Sequence, residues 1–182
     1  MAQFNLHLKL EHDASILKDF YSGVDALDTF IHTRLSAFLR AYNCRFYVLR
    51  NEQGVIVAMF VISEGQLFLD EDCKDDLRLK FPDIDEWPAL KDYWEAGGFP
   101  SIEINYLAVQ KEYREQHIGK DIISLIESFK EDVYYRHPLF LSVKAYCTQE
   151  YSAVGFYSKC RFLASEFISQ QIDSLRMYKT LS

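Results

Sequence analysis

The stretch from Ser101 to Phe129 constrains the fold more than any other part of this 182-residue chain. SIEINYLAV has the apolar, β-rich character of a strand, QKEYREQH is a polar turn, and IGKDIISLIESF opens a helix. Ile118, Ile122, Leu125, Ile126, Phe129 and Val133 recur at helical spacing on one side of that helix. LFLSVKAY, Leu139 to Tyr146, then reads as a further strand. Strand, helix and strand in that order make a crossover, and its helix must bury an apolar side against a sheet. The order predicts an α/β or α+β fold, a sheet covered by helices.

The flanks supply the rest of the sheet. Phe4, Leu6, Leu8 and Leu10 alternate with Asn5, His7 and Lys9, the period of a half-buried strand. In SGVDALDTFIHTRLSAFLRAY, Leu27, Phe30, Ile31, Leu35, Phe38 and Leu39 predict one helix, entered at Ser22 or Asp25, with His32 on its flank. CRFYVLR and VIVAMFVIS, joined by Asn51, Glu52, Gln53 and Gly54, predict an antiparallel hairpin. Between Leu67 and Pro100 the period of two is lost. Asp70, Glu71, Asp72, Asp75, Asp76, Asp83, Asp85 and Glu86 crowd there with Pro82, Trp87, Pro88 and Trp94, which reads as an inserted, partly helical excursion. Glu150 to Lys159 reads as a short helix, and Phe162 to Glu166 and Leu175 to Leu181 as closing strands. With 49% hydrophobic residues and no internal repeat, the expectation is a single domain over 1–182 with 67–100 inserted.

Charge and cysteine usage narrow the function classes. A formal net charge of -7 disfavours nucleic acid as a partner, because gripping a phosphate backbone calls for a basic surface. No apolar run approaches the roughly 20 residues that cross a bilayer, and MAQFNLHLKLEHD lacks the order of a signal peptide, so a cytoplasmic protein without a membrane partner is expected. Cys44, Cys73, Cys147 and Cys160 form no CxxC pair and have no His at zinc-ligand spacing, which predicts reduced thiols, mostly buried or half-buried, and no metal.

A strand that feeds a helix N-terminus through a turn leaves backbone N–H groups unpaired and concentrates positive dipole there, an arrangement suited to phosphate or pyrophosphate. Gly119 lets an anion approach the backbone. LAVQKEYREQHIGKDIISLIESF resembles the central acetyl-CoA-binding segment of the GCN5-related N-acetyltransferases, whose turn runs Arg or Gln, two residues, Gly, one residue, Gly or Ala. Arg114 and Gly119 fit; His117 replaces the first glycine, and a right-handed backbone with its side chain in solvent is expected there. EYSAVGFYSKCRF is similar to the family's closing helix and strand: Ala153, Phe156, Tyr157 and Phe162 match, and Arg161 replaces a glycine. The resemblance covers nearly the whole chain. It implies a mixed, mostly antiparallel central sheet flanked by helices, with a splayed central strand, and acetyl-CoA as co-substrate.

The resemblance also implies roles. Leu107 and Val109, either side of Ala108, offer backbone groups to the pantetheine arm, and Gln116, Ile118, Gly119 and Lys120 face the pyrophosphate through main-chain N–H. Lys120 adds a cation or is simply solvated. An acceptor amine with a pKa of about 10.4 must lose a proton before it attacks, which requires a base. Glu103 stands where histone-type members carry theirs, and a surface carboxylate is the alternative. Tyr157 resembles the general acid that meets the departing sulfur, against a packed aromatic; Cys147 and Cys160 read as packing residues.

The main expectation is acetyl transfer to a primary amine of a small molecule, peptide or protein, with a homodimer compatible. FYSGVDALDTFI resembles the first helix of the toxin-type subgroup that acetylates aminoacyl-tRNA, a second reading. A third is a coenzyme A-binding module without turnover, motivated by His117 and Arg161. The excursion, with Tyr93 among its aromatics, is either a solvated acidic loop or an acceptor-side wall favouring cationic amines.

Overall fold

A computed structural model describes residues 6–68, 75, 77–79, 86, 93, 98–129, 138–164 and 173–181. Seven strands are hydrogen-bonded in the order β1-β2-β3-β4-β5-β7-β6: β1 His7–Glu11, β2 Cys44–Arg50, β3 Ile56–Phe68, β4 Gly98–Val109, β5 Phe140–Tyr146, β6 Leu163–Ala164 and β7 Ser174–Thr180. The pairs β1 with β2, β2 with β3, β5 with β7 and β6 with β7 are all antiparallel. The α-helices are α1 Asp25–Thr33, α2 Leu35–Ala41, α3 Ile118–Ser128 and α4 Val154–Lys159. The chain packs as two compact units, Met1–Ser63 with Ile104–Leu125 and Glu64–Glu103 with Ile126–Ser182.

In the first unit the hairpin forms as its sequence predicts, in the register Cys44↔Ser63, Tyr47↔Phe60 and Leu49↔Ala58. Tyr47 stacks on Phe60 with ring centroids 5.0 Å apart, and Gly54 takes the left-handed φ of 78° that the turn demands. Leu17, Ile31, Leu35, Phe46, Val48, Met59, Val61 and Ala108 form one apolar core. Burying each large side chain contributes about 1.5–3 kcal/mol.

Two expectations are corrected here. The segment expected to be one helix is two, because Arg34 leaves the helical region at φ -123° and ψ -23°. Thr33 Oγ1 donates to Thr29 O at 2.6 Å, a back-bond that competes with the helical ladder and bends it. The first strand is not half-buried: His7, Leu8, Lys9 and Leu10 are all exposed, because the strand lies at the sheet edge and pairs only with β2.

Entry into α1 depends on Asp28 rather than Asp25. The Asp28 carboxylate accepts from Ser22 N at 2.7 Å and Gly23 N at 3.0 Å, while Ser22 Oγ accepts from Val24 N. Asp28→Ala leaves both donors without this acceptor, and we expect a loss of about 1–2 kcal/mol. In thermal unfolding that appears as a midpoint lower by roughly 3–6 °C.

In the second unit Leu67, Leu77, Phe99, Phe140 and Tyr178 form the core. The expected excursion is shorter than 67–100: Leu67 and Phe68 continue β3, and Gly98, Phe99 and Pro100 begin β4. Of its acidic residues only Asp75 and Glu86 fall among the described residues, both exposed, so the proposed acceptor wall, with Trp87 and Trp94, lies outside them. Phe4, Cys73, Val133 and Glu166 lie outside them as well. Cys44 and Cys147 are half-buried free thiols and Cys160 is buried; burial pushes the Cys44 thiol up. Helix α4 is shorter than the expected Glu150 to Lys159 and starts only at Val154. Among the described residues no helix is long and apolar enough to cross a membrane.

Candidate functional site

In the first unit, β4 ends at Val109 and the Gln110 N–H donates to Val57 O at 2.9 Å, which ties the strand end to β3. Leu107 and Val109 are half-buried on one side of the pleat and Ala108 is buried on the other. A 3-10 turn over Lys111–Tyr113 follows, then Arg114 in extended geometry, then α3 from Ile118. Ile118, Ile122, Ile123 and Ile126 are the buried side of that helix, close to the predicted stripe.

The turn has unusual backbone geometry. Glu115 has φ 65° and His117 φ 63°, both left-handed without glycine. The expectation of a right-handed backbone at His117 is therefore wrong. The residue keeps the conformation a glycine adopts freely, and only its exposed side chain departs from the family pattern. A left-handed residue followed by a right-handed helical one points successive N–H groups at one spot, an anion-binding concavity. Among the described residues the N–H groups of residues 115 to 119 carry no hydrogen bond. Lys120 is the exception among the expected donors: its N–H is held by His117 O at 2.9 Å, inside the first helical turn. Its exposed ammonium is all it can offer an anion. Arg114 and Gln116 are exposed and Gly119 half-buried.

Sequence reasoning missed what holds this turn. Tyr21 N donates to Gln110 Oε1 at 2.9 Å, and Lys111 N donates back to Tyr21 O at 2.9 Å. A Cβ on Gly23 would lie 3.0 Å from Lys111 Cδ, and φ 75° strains any other residue there independently. On another flank, buried Asn51 accepts from Gln53 N and Val55 N and donates through Nδ2 to Tyr113 Oη at 3.1 Å. The FYSGVDALDTF segment thus braces the turn after β4. His32, beside it, packs on Tyr21 with centroids 4.9 Å apart and bonds Leu17 O through Nε2, as a flank residue would.

In the second unit, Tyr157 sits on α4 with 6% of its surface exposed, its ring edge-on to Phe156 and Phe162 at 5.0 and 5.2 Å. Burial, with Tyr151 and Cys160 beside it, pushes its phenol well above the ordinary tyrosine range. Among the described residues its hydroxyl has no hydrogen bond. Arg161, in place of the family glycine, has φ 67° and is the left-handed residue that closes the helix. Phe162 N donates to Tyr157 O and Arg161 N to Ser158 O, both at 3.0 Å, the paired bonds of a Schellman motif.

A left-handed non-glycine residue costs about 1–2 kcal/mol, and glycine returns about 0.5–1 of that as unfolded-state entropy. Arg161→Gly and His117→Gly are each expected to stabilise by about 0.5–1 kcal/mol. Calorimetry should find each midpoint higher by about 1–4 °C.

Glu103 is half-buried on β4 and lines a small pocket of the second unit with Gln66, Ser142, Lys144 and Arg176. Gly65 makes room for it: a Cβ there would lie 2.9 Å from Ser101 Oγ and 3.1 Å from Glu103 Cβ. Among the described residues no group of three or more His, Cys, Asp or Glu is placed to hold a metal ion.

No protein-family model and no curated protein matches the chain by sequence. Solved structures do match. A bacterial toxin superimposes over 98% of this chain and 92% of its own at 14% identity and a TM-score of 0.72. AtaTR bound with AcCoA matches over 97% and 93% at 16% identity and a TM-score of 0.64. AtaT complexed with acetyl-methionyl-tRNAfMet matches over 94% and 94% at 16% identity and a TM-score of 0.58. At these identities the likeness is one of architecture, and this chain has the fold of those proteins, the GCN5-related N-acetyltransferase fold.

Proposed function

We propose that this chain is an N-acetyltransferase that moves the acetyl group of acetyl-CoA onto a primary amine, and that the amine is the α-amino group of an aminoacyl-tRNA. The observation that carries the first half is the turn at residues 115 to 119, whose unengaged N–H groups precede α3. Fixed donors of this kind at a helix N-terminus hold a pyrophosphate without reorganisation. Gln116, His117, Ile118 and Gly119 form that cradle, with the Arg114 guanidinium and the Lys120 ammonium at its rim. Leu107, Ala108 and Val109 supply the strand backbone for the pantetheine arm.

The chemistry follows from the two remaining groups. The acceptor nitrogen, once Glu103 has taken its proton directly or through water, attacks the thioester carbonyl carbon and forms the C–N bond as the C–S bond breaks. The electron pair leaves on sulfur, and the Tyr157 hydroxyl, free of other bonds among the described residues, donates to it. With its phenol pushed up by burial, Tyr157 stays protonated and stabilises the thiolate as a hydrogen-bond donor more than as a source of a fully transferred proton.

The tRNA half rests on two observations: the FYSGVDALDTF segment, which resembles the toxin-type first helix, and the likeness to AtaT, a protein solved with acetyl-methionyl-tRNAfMet. The net charge of -7 stands against it. The test is thiol release from acetyl-CoA with purified protein against charged tRNAs, peptides and small amines. Release confined to charged tRNA supports the whole reading. Release with amines alone keeps the acetyltransferase and removes the tRNA, and no release with any acceptor, despite tight coenzyme A binding, leaves a binding module.

A further inference from the structure

One face of the second unit changes character along its strands. Phe99, Ser101 and Glu103 follow one another on β4 at the strand period, and Phe140, Ser142 and Lys144 do so on β5. Phe99 meets Phe140 with centroids 5.5 Å apart, and the Ser142 hydroxyl donates to Ser101 Oγ at 3.4 Å, so the apolar core passes into a buried polar step and then into the pocket beside Glu103. Two cations stand there. Lys144 is paired directly with Arg176 across the β5–β7 ladder, so the two side chains leave the same face as neighbours.

Like charges in direct cross-strand register oppose folding. Among the described residues neither Lys144 nor Arg176 has an ion pair or a side-chain hydrogen bond, and Glu103, lining the same pocket, bonds neither of them. Arg176 is half-buried and Lys144 is exposed, so the pair is open to a ligand from solvent. A neutral pair would serve the ladder better.

We infer that Lys144 and Arg176 form an anion subsite beside Glu103 that takes the phosphodiester at the single-stranded 3′ end of a tRNA. This rests on the reading under Proposed function, and the chemistry of that acceptor selects the anion. The α-carboxyl of an aminoacyl ester carries no charge, so the anion common to every such acceptor and nearest its amine is the phosphodiester of the nucleotide that carries it. A guanidinium and an ammonium side by side match a phosphate's several acceptor oxygens. Glu103 repels the same phosphate and attracts the ammonium of the acceptor, so the pocket orients the substrate end to end: phosphate on the cations, nitrogen on the carboxylate. The pair also supplies local positive charge that a chain of net charge -7 otherwise lacks.

The experiment measures binding of a fluorescein-labelled CCA trinucleotide to the wild type, Lys144→Gln, Arg176→Gln and the double variant, from low to moderate salt. Arg176→Lys, which keeps the charge, is the control for packing, and coenzyme A is compared with 3′-dephospho-coenzyme A on every variant. We expect the double variant to bind the trinucleotide at least tenfold more weakly. Its salt slope should fall by about 0.7 for each single-strand phosphate that the protein no longer neutralises, while Arg176→Lys retains most of the binding. Discrimination between the two coenzymes should not change. Equal trinucleotide affinity in wild type and double variant overturns the proposal, as does equal weakening in Arg176→Lys and Arg176→Gln. A change in coenzyme discrimination overturns it too, since the anion is then the coenzyme's own 3′-phosphate. A wild type that binds the trinucleotide but acetylates no charged tRNA removes the aminoacyl-tRNA reading and leaves the anion subsite standing.

Discussion

Tyr157→Phe is expected to lower kcat about a hundredfold or more while acetyl-CoA affinity stays within about twofold. The ring is packed against Phe156 and Phe162, and phenylalanine keeps both neighbours, so folding and the coenzyme cradle are preserved. What is removed is a hydroxyl that bonds nothing else among the described residues and that, in the proposed mechanism, acts only as charge develops on sulfur. Stopped-time thiol release together with calorimetric titration of acetyl-CoA separates the two effects. A variant that loses affinity and rate in equal measure marks Tyr157 as a packing residue.

The same burial gives a stability signature. The folded phenol ionises only above the unfolded value of about 10, so stability from keeping it neutral is fully present below that pH and is lost as pH rises past it. Denaturant midpoints of the wild type should therefore fall faster above pH of about 10 than those of Tyr157→Phe.

Gly119→Val should weaken acetyl-CoA binding by at least about tenfold with little change in unfolding midpoint. Every Cα–Cβ bond of a helix tilts toward its N-terminus, so a side chain at this position leans over the opening that the N–H groups of residues 115 to 119 face. A branched one stands in the place proposed for the pyrophosphate. The measurement is direct titration with coenzyme A. Unchanged affinity in a folded variant removes the turn from the binding reading.

Much of this protein was determined locally. The hairpin of Cys44–Arg50 and Ile56–Phe68, and the passage from β4 through a turn into α3, were legible because alternating or helical apolar spacing states which face is buried, whatever the rest of the chain does. The position of the turn between β4 and α3 was legible for the same reason, but its backbone geometry was not. Spacing failed where a competing bond decides, as at Thr33 and Arg34, which split the expected helix, and at the edge strand, where alternation does not guarantee a covering layer. It also misjudged His117: a residue's identity sets the cost of a left-handed backbone, but the surrounding bonds set whether that cost is met. Those bonds join residues far apart in sequence: Tyr21 to Gln110, Asn51 to Tyr113, Lys144 opposite Arg176, and Gly65 beneath Glu103. No window along the chain contains both members of such a pair, so only the tertiary structure decided what braces the turn and which charges share the pocket.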